Sequence, residues 1–81
     1  MGYTDSINAL KRDIAAGKVT VTIENGVYTF AGKTYQHKDF LKAELSGTDF
    51  RFDRDAKVWR VSEDSMYSAD KAFVAELISE Q

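Results

Sequence analysis

With 81 residues, 43% of them hydrophobic and 30% charged, the chain has room for one domain and one core and is too apolar for a disordered segment. A net charge of −2 excludes a uniformly basic nucleic-acid binder, and the lack of cysteine excludes disulfide scaffolds, thiol catalysis and cysteine-ligated zinc. No apolar run approaches the roughly 20 residues that span a bilayer, and MGYTDSINAL lacks the basic-then-apolar order of a signal peptide. The chain therefore reads as cytoplasmic, with no membrane contact.

Thr4 or Asp5 can cap a first helix, whose apolar positions Ile7, Leu10 and Ile14 recur at helical spacing. Gly17 stands where such a helix stops. From Lys18 to Glu24 the residues alternate, with Val19, Val21 and Ile23 on one face and Thr20, Thr22 and Glu24 on the other. Asn25-Gly26 follows, a dipeptide suited to a two-residue type I′ turn. That turn pairs Glu24 with Val27, Ile23 with Tyr28 and Val21 with Phe30, apolar against apolar. A short helix over about 36–45 turns Phe40, Leu41 and Leu45 inward and ends at Ser46-Gly47. The stretch Asp49 to Val61 reads as a second hairpin. A turn centred on Asp55-Ala56 pairs Phe52 with Trp59 and Phe50 with Val61, which assigns all four side chains to the core. Ser68 caps a last helix with the apolar stripe Phe73, Val74, Leu77 and Ile78.

The fold class is thus α+β, a single domain over 1–81 in the order α-β-β-α-β-β-α, with two antiparallel hairpins and helices packed on one face. Whether the hairpins join in one sheet is left open by the pattern. An exposed sheet edge can pair two copies, so the chain reads as a monomer or weak homodimer.

The inventory argues against an enzyme. His37 is the only histidine, and its position predicts a capping or partly buried ring beside Phe40 and Leu41. The serines fall at helix ends, the glycines are isolated, and Asp53 and Asp55 flank a turn without the glycine and distal glutamate of a calcium loop. No cofactor or metal is implied.

Charge is unevenly distributed. Between Gly32 and Val61 seven basic residues face five acidic ones, a local charge of +2, whereas Ser62 to Gln81 has one lysine against five carboxylates, or −4. In the register above, Arg51 and Arg60 lie opposite one another on the outward face of the second hairpin. Opposed like charges are unfavourable. Either Asp49 or Asp53 splits the pair, or the two guanidinium forks are kept for an anionic partner. Arg54 and Lys57 at the turn, with Lys38 and Lys42 on the short helix, would extend such a patch.

The run Gly32-Lys33-Thr34-Tyr35, then Lys38-Asp39 and Leu41-Lys42, then Gly47, Phe52-Asp53, Lys57 and Trp59-Arg60-Val61 forms a pattern: a tyrosine, a helix, and a hairpin closing on Lys-x-Trp. This stretch resembles the HARP-type substrate-recognition module of DNA-annealing helicases and related small modules of phage and plasmid proteins. The resemblance implies engagement of branched or single-stranded DNA. The leading expectation is a non-catalytic binding module acting on nucleic acid, or on a nucleic-acid-handling protein, through the outer face of the second hairpin. The alternative is a phage-type inhibitor or adaptor that binds a host protein through the acidic last helix.

Overall fold

Local sequence accounts for each element of the computed structural model, which describes residues 2–81. Helix α1 spans Tyr3–Ala15 and buries Ile7, Leu10 and Ile14. Gly17, at φ +78°, takes the left-handed step that ends it. The Lys18 amide then donates to the Asp13 carbonyl at 2.9 Å and the Gly17 amide to the Ile14 carbonyl at 3.0 Å, satisfying the last carbonyls of the helix. The start differs from expectation: Gly2 occupies the cap position and neither Thr4 nor Asp5 caps. Both lie inside the first turn, where Asp5 still complements the positive end of the helix.

Strands β1 (Val19–Glu24) and β2 (Val27–Gly32) pair through a turn in which Asn25 and Gly26 both have positive φ, in the register the sequence implies. After a 3₁₀ turn at Tyr35–His37, α2 covers Lys38–Glu44. Strands β3 (Arg51–Asp53) and β4 (Val58–Ser62) form the second hairpin with Phe52 opposite Trp59 and Arg51 opposite Arg60. Helix α3 follows at Ser68–Ile78; Tyr67 and not Ser68 occupies its cap position, because the Asp70 carboxylate accepts a hydrogen bond from the Tyr67 amide and so sets the start one residue earlier.

The two hairpins do form one antiparallel sheet, in the order β1-β2-β4-β3. The joint is β2 against β4, with Phe30 opposite Trp59 and Tyr28 opposite Val61. Period-two alternation then places Val21, Phe30 and Trp59 side by side on one face. Against that face pack Leu10 and Ile14 of α1, Leu41 of α2, and Phe73, Val74 and Leu77 of α3. The opposite face carries Thr22, Thr29, Arg60 and Arg51 in a row across the strands, and among the described residues the helices α1, α2 and α3 contribute their buried side chains to the other face.

Two residues assigned to the apolar face lack cover. Ile23, at the far end of edge strand β1, remains 48% exposed, and Phe52, on the three-residue edge strand β3, remains 44% exposed. Alternation sets which face a side chain takes, whereas cover depends on where the helices end.

Gly32 closes the sheet at the foot of β2. Its φ is +94°, and a Cβ there would lie 2.2 Å from the Lys18 carbonyl oxygen. That approach lets the Lys33 amide donate to Lys18 at 2.8 Å. Gly32→Ala combines a left-handed backbone with a backbone clash and is expected to cost about 2 kcal/mol or more in chemical denaturation. Gly26→Ala, with a positive φ but open space, should cost less.

Candidate binding groove

Past the last β2–β4 pair, Phe30 with Trp59, the two strands run on to Gly32 and Lys57. The connection from Gly32 to Lys38 turns away there and leaves a groove of about 660 Å³. Its lining comprises this connection together with Phe52, Lys57 and Trp59.

The connection is held from behind. Thr34 and His37 are buried, and His37 Nε2 lies 2.6 Å from Asp13 Oδ2, which also accepts from Gln36 Nε2 at 2.8 Å. The His37 hydrogen bond, aided by Gln36 and opposed by burial, holds the Asp13 carboxyl below its ordinary range. His37 is thus a buried anchor between α1 and the connection. With this side pinned, Tyr35 turns outward and is 81% exposed, and the Lys38 ammonium sits 5.0 Å from its ring centre.

Trp59 lies deeper. It is 7% exposed, stacked on Phe50 at 4.9 Å with planes 8° apart, and tilted against Phe52 at 5.1 Å. The Lys42 ammonium stands 5.3 Å from the Trp59 ring centre. Lys57 reaches the rim from a backbone position that lysine rarely takes, φ +58°. The turn tolerates it because Asp53 Oδ1 accepts from the Asp55 and Ala56 amides, at 3.0 and 3.1 Å, and the Asp53 carbonyl accepts from Lys57 at 2.7 Å.

The basic residues singled out from sequence therefore divide between two faces. Arg51 and Arg60 are neighbours on the open outer face, and each meets a carboxylate: Arg51 with Asp49 at 3.0 Å, Arg60 with Asp53 at 3.1 Å. Arg60 also donates to Thr29 Oγ1 at 3.2 Å. The opposed like charges are split by the two aspartates. Lys38 and Lys57 line the groove and Lys42 stands over Trp59, so these three do not extend the arginine patch; Arg54 is exposed in the turn. Lys38 meets Asp39 at 3.3 Å, while among the described residues Lys33, Lys42 and Lys57 belong to no ion pair.

Electrostatics and shape separate the two surfaces. The outer face has cations already matched by anions. The groove has aromatic walls and three lysines, with no carboxylate among its nine lining residues. Such a site suits a ligand with flat apolar parts and negative charge. Tyr35 and Lys33 were not among the binding candidates; the signal for them was the glycine at the end of β2, which forces the connection outward. Among the described residues no group of three or more histidines or acidic residues is placed to hold a metal ion, and no helix is long and apolar enough to cross a membrane. Comparison with family models, curated proteins and solved structures gives no match for this chain.

Asp53 is held below its ordinary value of 3.8, first by the Ala56 amide and then by Arg60. Asp49 is lowered as well: burial pushes it upward, but bonds from Ser62 and Ser65 and the charge of Arg51 outweigh that push. A carboxyl depressed in the folded state stabilises the fold above its unfolded value and loses that contribution as pH falls through the folded value. Urea titrations should therefore show stability declining from about pH 3.8 downward, and Asp53→Asn should be less stable than the parent at pH 7 yet lose less on acidification.

Proposed function

We propose that this protein is a non-catalytic module that binds single-stranded nucleic acid in the groove between the Gly32–Lys38 connection and the β3–β4 hairpin. The observation that carries this reading is the lining itself, with Tyr35, Phe52 and Trp59 interleaved with Lys33, Lys38 and Lys57 and no acidic residue. Unpaired bases present flat faces that stack on aromatic rings, and lysines follow the phosphates between them. A duplex hides those base faces, so an aromatic groove favours a single strand or an unpaired junction.

The stretch resembling DNA-recognition modules, about 32–61, contains every lining residue of the groove, which agrees with the reading. The negative net charge fits a binder that works locally, since the acidic excess lies after Val61. Arg51 and Arg60, each matched by an aspartate, contribute less to an anionic ligand than the unpaired lysines.

Anisotropy titrations with a labelled single-stranded oligonucleotide test this. Phe52→Ala or Tyr35→Ala should weaken binding by about 1–3 kcal/mol, the worth of one stacked base. Lys33→Ala should lower the salt slope by about 0.7, the share of one phosphate contact on a single strand. Lys57→Gly should weaken binding and at the same time raise stability by about 1 kcal/mol, because it relieves a positive φ. Arg51→Ala with Arg60→Ala should leave the slope unchanged. No binding even at low salt would reject the reading and favour an adaptor that binds a host protein.

A further inference from the structure

β1 and β3 are the two edges of the sheet. β3 is three residues long and its edge carries Arg51, both of which discourage pairing. β1 is six residues of alternating β-branched side chains ending in glutamate, with no proline or bulge.

In an antiparallel ladder successive residues turn their N–H and C=O alternately toward the partner strand and away from it. Lys33 donates to the Lys18 carbonyl, which sets the phase: Thr20, Thr22 and Glu24 bond β2, while Val19, Val21 and Ile23 face the free edge. At Val21 that edge is occupied. Gln81 Oε1 accepts from the Val21 amide at 2.7 Å, and Gln81 Nε2 donates to the Val21 carbonyl at 2.9 Å. One side-chain amide thus makes both bonds that a neighbouring strand would make. Tight turns after α3, from the Glu80 amide to Leu77 and from the Gln81 amide to Ile78, deliver it there.

We propose that β1 is a self-pairing edge, that a second copy of this chain docks on it antiparallel with Val21 against Val21, and that Gln81 is the guard that competes with this docking. The strand is complementary to itself about that centre. Val21 exchanges two hydrogen bonds with Val21 of the second copy, displacing the two that Gln81 makes in each copy. Val19 then lies opposite Ile23, whose side chain is half exposed in the single chain, and Thr20 lies opposite Thr22. Lys18 lies opposite Glu24, opposite charges at both ends of the ladder, and neither belongs to an ion pair among the described residues. Main-chain pairing of this kind supplies affinity, and the side-chain matches set the register. The surface is separate from the groove, so the two can be tested apart.

Sedimentation equilibrium on Gln81→Ala and Gln81→Glu, with folding checked by far-UV circular dichroism, decides the matter. Gln81→Glu keeps the shape but loses the donor to the Val21 carbonyl. Gln81→Ala, which removes both competing bonds, should self-associate about tenfold to a hundredfold more tightly than the parent, and Gln81→Glu, whose carboxylate can still accept from the Val21 amide, should fall between the two. Adding Lys18→Glu to Gln81→Ala should return association toward the parent level, and so should adding Glu24→Lys. Mixing those two double variants should restore pairing, because each charge then meets its opposite. Association unchanged from the parent in both Gln81 variants overturns the proposal, as does a dimer indifferent to Lys18→Glu. Unfolding of both variants also overturns it, since Gln81 would then be holding the fold rather than closing an edge.

Discussion

Trp59 is the contact on which the arrangement turns. Its strand neighbour Phe30 joins the first hairpin to the second, Phe50 stacks on its ring, Phe52 leans on it from the edge, and Lys42 stands over it from α2. Aromatic pairs of this geometry contribute about 0.5–1.5 kcal/mol each beyond the area they bury. In a chain of 81 residues with a single core, those contacts are a substantial part of the net stability. They also determine which aromatic surface remains for a ligand: Trp59 and Phe50 are used inward, leaving Phe52 and Tyr35 outward.

The groove follows from two departures from regular structure at the same end of the sheet. Gly32 lets β2 pass close to Lys18 and then swing away, and Lys57 takes a left-handed step to close the second hairpin. Gly32 takes its step without a side-chain penalty and Lys57 at a local cost, and each places a lysine-bearing segment on the rim. Asp13 steadies the first from α1 through His37 and Gln36, and Asp53 steadies the second through the turn amides. Aspartates thus serve as internal struts on both sides while the groove lining stays free of them. The same Asp53 also pairs with Arg60 on the outer face, as Asp49 does with Arg51, and the two faces differ in available charge for that reason.

Much of the fold was legible from residue patterns because it depends on short-range rules. Asn25-Gly26 set the first register, and the alternation of Phe50, Phe52, Trp59 and Val61 set the second, placing Arg51 against Arg60. What could not be read was long-range. Nothing local says that β2 pairs with β4, that Asp13 meets His37 across 24 positions, or that Gln81 reaches Val21 across 60. The candidate site suffered for the same reason. The lysines Lys38, Lys42 and Lys57 were found as charges, but whether they join the arginines or the aromatics depends on which side of the sheet α2 crosses. Phe52 was assigned to the core because alternation reports the face and not the cover.

Trp59 is the only tryptophan and forms part of the groove wall, so its emission reports directly on the proposed site. The decisive measurement is a fluorescence titration of the intact protein with an unlabelled single-stranded oligonucleotide and, in parallel, the matching duplex, at low and moderate salt. The groove account predicts saturable quenching by the single strand that weakens steeply with salt and is much smaller with the duplex. Unchanged Trp59 emission at oligonucleotide concentrations where binding is otherwise detected would contradict it, by placing the nucleic acid elsewhere on the molecule.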